Sequence, residues 1–392
     1  MSQKTRVSWL LVAPLLILVT VAFLLPIGYT LFKAVKNPEV TVALPRTTAA
    51  LENWSGEGLP PEAAFQALVA DMTDEEGRNA YGAMTRRLNF EQSGSRETLM
   101  NAKRVAGELS PPYAISLPEA VSEFGDVEIW RLIKLNSNPY TAQYLLRALD
   151  MTKDSQGNIQ KVADNQAIFI DLFKRTFEIS IIVTLLCVLL GYPTAYYIST
   201  LSDRAASYAM LFVLIPFWTS ILVRTTAWFI LLQREGPINA ALLGSGVIDE
   251  PLTMIFTRFA VYIAMVHVLL PFFILPLHSV MKRLGMEYVK ASASLGAHPW
   301  RQFLEVYLPL TMPGVAAGAV IVFMLSVGFY VTPALVGGLQ DQMVSYYVAF
   351  FANQTINLGM AASLAVLLLL FTGVIIVLAK MLLPDSGKGE RV

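Results

Sequence analysis

The sequence predicts an all-α membrane protein with six apolar spans and a large, polar, mainly helical insertion after the first of them. Three observations carry this. Hydrophobic residues make up 55% of the 392 and charged residues only 15%, a balance outside that of soluble domains. Apolar runs nearly free of charge recur at lengths that cross a bilayer. The acids are also segregated, with 18 of the 29 falling between residues 33 and 168. The formal net charge is zero, so nothing argues for a nucleic-acid partner. The single cysteine, Cys187, lies inside an apolar run, where no intramolecular disulfide is possible.

The first element is Trp9 to Phe32, 24 mostly apolar residues behind a short polar start with Lys4 and Arg6. It is too long for a signal peptide, and Lys33, Lys36 and Pro38 do not form a small-residue cleavage site. Residues 1–32 are therefore read as a cytoplasmic N-terminus and a retained span. Residues 33–168 differ in kind, being polar and of mixed charge. Phe65, Leu68, Val69 and Met72, and again Leu145, Leu146 and Leu149, recur at helical spacing. Trp54 and Trp130 are candidates for a small core, and the segment is long enough to fold as a domain. Residues 169–392 then carry five spans: Phe169 to Ile198, Ser207 to Leu232, Phe259 to Val280, Gly314 to Val336 and Met360 to Leu383.

Lys and Arg in short loops orient the chain. The N-terminus, the loop at Arg204, the loop with Lys282, Arg283, Lys290 and Arg301, and the tail with Lys388 and Arg391 share one side. Of the opposite loops, Gln233 to Arg258 sets two Arg against acids of its own, and Val336 to Asn357 holds neither Lys nor Arg. The basic side, with both termini, is expected to be cytoplasmic. Residues 33–168 are then expected outside, in the periplasm of a Gram-negative cell.

The most informative stretch is the loop at 281–313, between the spans that end at Val280 and begin at Gly314. Lys290 to Leu295 is small-residue, helix-compatible sequence, and Gly296 suits a left-handed helix end. His298-Pro299 is expected to restart a helix, with proline tolerated in its first turn. Pro309 and Pro313 are expected to break that helix before the next span. The stretch resembles the cytoplasmic loop of ABC-importer permeases. Their pattern is Glu-Ala-Ala, three residues, Gly, nine residues, an apolar residue, one residue, then Leu-Pro. Ala291, Gly296, Val306, Leu308 and Pro309 stand at those positions, while Lys290 replaces the Glu and Ser292 the second Ala. Glu287 offers an acid one turn earlier.

A second stretch, Leu222 to Pro251, is similar to the first of the two permeases in spermidine/putrescine-type systems. Arg224, Thr225, Ala227, Trp228, Gly236, Ile238, Asn239 and Pro251 carry that likeness. The resemblance implies the type I importer fold in a bacterial inner membrane. It also implies two separate ATP-binding subunits pushing on the loop around Glu287, Lys290, Ala291, Ser292, Gly296, Leu308 and Pro309. A second permease, expected to be a different chain, and a periplasmic solute-binding protein complete the implied assembly. The solute would be a polyamine or an opine- or amino-acid-like compound. ATP and Mg²⁺ would be held by the partner subunits, with no cofactor in this chain.

The residues themselves agree that the chain is no enzyme. There is no GxxxxGK[ST], HExxH, CxxC or GxSxG pattern. His267 and His278 fall on one expected helix, where satisfied core or interfacial histidines are the ordinary reading and a metal pair the sharper one. Charge inside an apolar run marks a candidate pathway: Glu178 and Arg224, as an ion pair or with Arg224 facing a solute carboxylate. Trp228 and Tyr330, with Trp218, Phe229 and Phe329, are candidates for cation–π contact with an amine or for an interfacial aromatic belt. The rival classes are a stand-alone secondary carrier or channel, and a membrane-anchored ligand sensor. A carrier calls for more spans or a visible inverted repeat with broken helices at the midplane, and a sensor would not need the Gly and Leu-Pro spacing.

Overall fold

Apolar runs become helices here, and their proline and glycine residues set where those helices bend, widen or stop. The computed structural model describes residues 12–74, 78–154, 157–285 and 287–382. Lys4, Arg6, Trp9, Leu383, Lys388 and Arg391 lie outside them. Among the described residues five single helices are long and apolar enough to cross a membrane: α1 (Val12–Phe32), α2 (Phe169–Thr200), α5 (Arg258–Leu284), α6 (Pro299–Gly328) and α7 (Leu358–Met381). Between α2 and α5, α3 (Asp203–Trp218) and α4 (Ile221–Leu231) form a bent pair, turning by 94°. The count is therefore six when that pair is taken as one span.

Three local expectations need correction. The run Ser207 to Leu232 is not one straight helix. Pro216 opens a tight 3₁₀ turn, Thr219 and Ser220 are extended, and the Ser220 hydroxyl accepts from Leu222 N–H at 3.3 Å to start α4. The run Gly314 to Val336 is likewise split, because α6 ends at Gly328, Phe329 is extended and Val331–Val336 forms its own short helix. Finally, Pro309 and Pro313 do not stop α6. The turn Gln302–Tyr307 is π-helical, and Leu308 N–H reaches back five residues to the Phe303 carbonyl. The wider turn accommodates a residue that has no N–H to give. The same device precedes Pro26 in α1, where Thr20–Leu24 is π-helical and Leu25 N–H bonds the Thr20 carbonyl.

The described residues divide into two compact units. The first runs up to Ile168 and takes in Phe350–Leu367. Apart from α1 it is a bundle of short helices, among them Glu62–Thr73, Arg78–Glu91, Ser95–Val105 and Val127–Leu135. Phe65, Leu68, Val69 and Met72 all point into its core, with Trp54 and Trp130. Trp130 packs on Phe65 with ring centroids 4.5 Å apart and donates its indole N–H to the Phe124 carbonyl. The chain leaving α1 is stapled to this bundle. Arg87, buried, donates to Asn37 and Asn136, pairs with Glu91 at 2.6 Å and lies over the Tyr144 ring. The stretch with Leu145, Leu146 and Leu149 differs from its periodicity. The helix there, Gln143–Arg147, is a single turn burying Gln143 and Tyr144. Asp150 at φ 55° turns the chain into a two-stranded hairpin, β1 (Met151–Lys153) against β2 (Ile159–Lys161).

The second unit comprises Phe169–Ala349 and the residues from Leu368 onward. Its centre is α2, α5 and α6, packed around the fully buried Phe273. Gly191 of α2 and Gly318 of α6 press on that ring from two sides. A Cβ at Gly191 would lie 2.4 Å from the ring edge, and one at Gly318 would lie 2.8 Å from it and 2.9 Å from the Phe273 carbonyl. Small residues that let helix backbones approach closely are the usual basis of helix association in lipid.

Candidate functional site

Two parts of the second unit carry the residues singled out above. The first is the loop between α5 and α6. Glu287–Ser294 forms a two-turn helix, and Gly296 ends it at φ +83°. Ala297 N–H bonds the Ser292 carbonyl and Gly296 N–H bonds that of Ala293, which together make a Schellman end. His298 then caps α6 by accepting from Trp300 N–H, with Pro299 in the first turn. Gln302 donates to the Ala297 carbonyl and ties the turn to the new helix.

The outer face of this loop carries large apolar side chains among its charges. Leu295 is 89% exposed and Trp300 66%, and Tyr288 and Leu304 are also exposed. Glu287, Lys290, Ala291, Gly296 and Pro309 are exposed, while Ser292 and Leu308 are half-buried. The inner face is anchored by aromatics. Tyr307 is buried against Tyr196 of α2 at 5.3 Å between centroids, Phe303 meets Tyr192 and Tyr196 edge-on, and the Tyr192 and Thr311 hydroxyls bond at 2.9 Å. The root of α6 is therefore packed against α2 through rings rather than joined to it by a slack tether.

The second part is the group of charges and aromatics in and beside the spans. Glu178 does not pair with Arg224. Its carboxylate takes the Arg258 guanidinium at 2.8 Å, and Arg258 also meets Asp341 at 3.0 Å. Asp341 in turn accepts from Gly338 N–H. Arg258 sits at the start of α5, where its fork reaches two carboxylates at once, and sequence reasoning had counted it only as a loop charge. Arg224 keeps its Nε enclosed without a hydrogen-bond partner. One turn on, Trp228 donates to His267 Nδ1 at 3.2 Å, so His267 is engaged by an aromatic. Among the described residues no group of three or more His, Cys, Asp or Glu is placed to hold a metal ion. Tyr330 precedes the helix Val331–Val336, which meets α4 through a 3.1 Å contact between the Thr332 and Thr225 hydroxyls. Trp218 is 85% exposed.

Asn239 was singled out by its motif alone, and the structure shows what it does. Fully buried, it donates to the Gln233 and Leu252 carbonyls and accepts from Leu252 N–H at 2.9 Å. It thereby clamps both ends of the loop that follows α4. Asn239→Ala leaves the Leu252 N–H and carbonyl without partners, the Gln233 carbonyl keeping the Gly236 N–H, and is expected to destabilise that loop by about 2–3 kcal/mol. Hydrogen exchange at the Leu252 amide, accelerated in the variant while that of α5 is unchanged, is the measurement that checks it.

The description of binding-protein-dependent transport system inner membrane components matches residues 181–386, which holds both the exposed loop and the clamped one. The chain belongs to this family. It is 32% identical over 201 residues to the spermidine/putrescine transport system permease protein PotB of Salmonella typhimurium (strain SL1344), covering 50% of this chain and 70% of that one. It is 33% identical over 184 residues to the inner membrane ABC transporter permease protein YdcU of Escherichia coli (strain K12), covering 43% and 57%. A solved bacterial ABC transporter that imports the acidic polysaccharide alginate superposes at TM-score 0.47 and 19% identity, over 56% of this chain and 80% of that one. The permease is thus a multi-pass, non-enzymatic membrane subunit of an ABC importer. The bundle of short helices after α1 lies outside the matched residues.

Proposed function

We propose that this permease forms one half of the translocation path of an ATP-driven polyamine importer. Its partners would be a second, different permease chain, two ATP-binding subunits and a periplasmic solute-binding protein. The observation that carries the coupling part is the loop at Glu287–Ser294. Its outer face is open, its end is fixed by Gly296, and its aromatic root is locked into α2 and α6. Such a helix suits a groove that closes on ATP. Closure of the groove then biases the attached spans between two arrangements by differential binding. The basic-side reading places this loop and both termini in the cytoplasm. The bundle after α1 would then stand outside, where it would touch the binding protein or brace the second permease.

Likeness to the spermidine/putrescine permeases supports a polyamine as the solute. One observation favours a second reading, a nitrogenous solute that also bears a carboxylate. Arg224 has an enclosed Nε without a partner, while Glu178 is occupied by Arg258. A cation of this kind repels a polyamine and receives a carboxylate.

The test is purification of the complex from native membranes, followed by ATPase assays with the binding protein and a panel of polyamines, opines and amino acids. Co-recovery of an ATPase and a second permease, with stimulation by spermidine or putrescine, is the expected result. Stimulation by carboxylate-bearing solutes alone selects the second reading. Recovery of this chain by itself, with transport driven by an ion gradient, refutes the coupling role.

A further inference from the structure

A cationic cavity in the first unit opens at the depth where two spans end. Its volume is about 140 Å³, and Lys33, Lys36, Glu39, Arg86, Asn357 and Gly359 are among the residues that line it. Lys33 directly follows α1, and Asn357 directly precedes α7. The cavity is thus bounded by the end of one membrane helix and the start of another, which is headgroup level. The side chains around it fit that depth. Tyr29, Phe32, Tyr140 and Ile356 are exposed, as aromatic and apolar residues are at a membrane interface. The Lys33 ammonium lies 5.2 Å from the Tyr29 ring.

The charges are unbalanced. Arg87 also lines the cavity, but Glu91 answers it at 2.6 Å. Lys33, Lys36 and Arg86 form no ion pair among the described residues. Glu39 supplies one negative charge, and its Oε2 is enclosed without a hydrogen-bond partner. The sum is an excess of two positive charges and one open acceptor. At the start of α7, Asn357 takes the Met360 and Ala361 N–H groups, and the Leu358 and Gly359 N–H groups and the positive end of the helix are left to the cavity.

We propose that this cavity binds the headgroup of phosphatidylglycerol. Lys33, Lys36 and Arg86 hold the phosphodiester, and Glu39 accepts from a headgroup hydroxyl. The acyl chains run along α1, whose apolar side chains are exposed over its length. A net-anionic headgroup matches the excess positive charge, whereas the zwitterionic phosphatidylcholine has neither the net charge nor the hydroxyl donors. Ordinary snorkelling of Lys33 and Lys36 would not recruit Arg86 from the helix Arg78–Glu91 or leave a carboxylate oxygen open beside them. The lipid would fasten α1 and α7 to the bundle between them at the membrane surface.

The experiment is native mass spectrometry of the full-length permease released from nanodiscs of phosphatidylglycerol mixed with phosphatidylcholine. The wild type is expected to retain one phosphatidylglycerol in preference to phosphatidylcholine. Each of Lys33→Gln, Lys36→Gln and Arg86→Gln should weaken that retention about fivefold, and the triple variant about 100-fold. Because these cations form no ion pairs among the described residues, the melting temperature should hold, and the single variants serve where the triple one does not fold. Equal retention of both lipids by the wild type, or unchanged retention by the variants, overturns the proposal. Displacement of the lipid by millimolar glycerol phosphate shows that a free anion is the ligand instead, which also overturns it.

Discussion

Gly318→Ala is expected to unfold the packing of α2, α5 and α6. The added methyl would sit 2.9 Å from the Phe273 carbonyl and 3.2 Å from its Cα, as well as 2.8 Å from the ring. Backbone cannot swing aside, so α6 must shift away from α5 along the length that buries the core. Overpacking of this kind costs about 3 kcal/mol, a large share of a marginal stability. The variant should melt well below the wild type in detergent and accumulate poorly in the membrane. Gly191→Ala supplies the control. Its methyl would meet only side chains, the Phe273 ring at 2.4 Å and Leu270 at 3.3 Å. Adding Phe273→Leu should therefore restore much of the stability lost in Gly191→Ala and little of that lost in Gly318→Ala. Equal rescue of both would show that the α5–α6 approach is looser than the structure has it.

Gly296→Val is expected to abolish uptake in a chain that still inserts and folds. No atom lies within 4 Å of where a Cβ would be, so space is not the issue. The backbone conformation, at φ +83°, is what a β-branched residue resists, by about 1–2 kcal/mol or more. The helix Glu287–Ser294 would lose its Schellman end, and with it the fixed angle to His298, Trp300 and the aromatic root. Asparagine tolerates left-handed backbone better than other L residues, so Gly296→Asn should keep substantial uptake, and alanine should fall between. Solute-stimulated ATPase activity in the reconstituted importer, read beside membrane yield, is the measurement. Full uptake by the valine variant at normal yield would remove the loop from the coupling path.

Much of this architecture was legible because lipid imposes strong local rules. A run such as Leu358–Met381 must be a helix if it sits in a bilayer, since no other single segment satisfies its backbone there. The helix end at Gly296 was legible for a similar reason, because glycine followed by His-Pro leaves the chain few conformations. Breaks within apolar runs were not. Ile215-Pro216 and Phe329-Tyr330 interrupt helices without any change in hydropathy, and proline did the opposite at Pro309. The charge pairing was invisible because Glu178 and Asp341 stand 80 and 83 residues from Arg258. The choice between Arg224 and Arg258 as partner depends on which helix faces which. The hairpin at Met151–Lys153 and Ile159–Lys161 was missed because three-residue strands carry no usable periodicity.

The wide turn at Gln302–Tyr307 also changes what a residue count means in this chain. An α-helix advances its side chains by about 100° per residue, so a spacing along an unbroken helix fixes which residues share a face. A π-helical turn, with its bonds spanning five residues, rotates less per residue, and it works as a phase adjuster between the loop and the span. The separation from Gly296 to Leu308-Pro309 therefore does not by itself set the angle at which Gly318 meets Phe273. The two ends of α6 are offset in phase by that turn while joined in one rod. An insertion or deletion in that turn would re-aim the face at Trp300 while leaving the face packed at Gly318 where the core requires it.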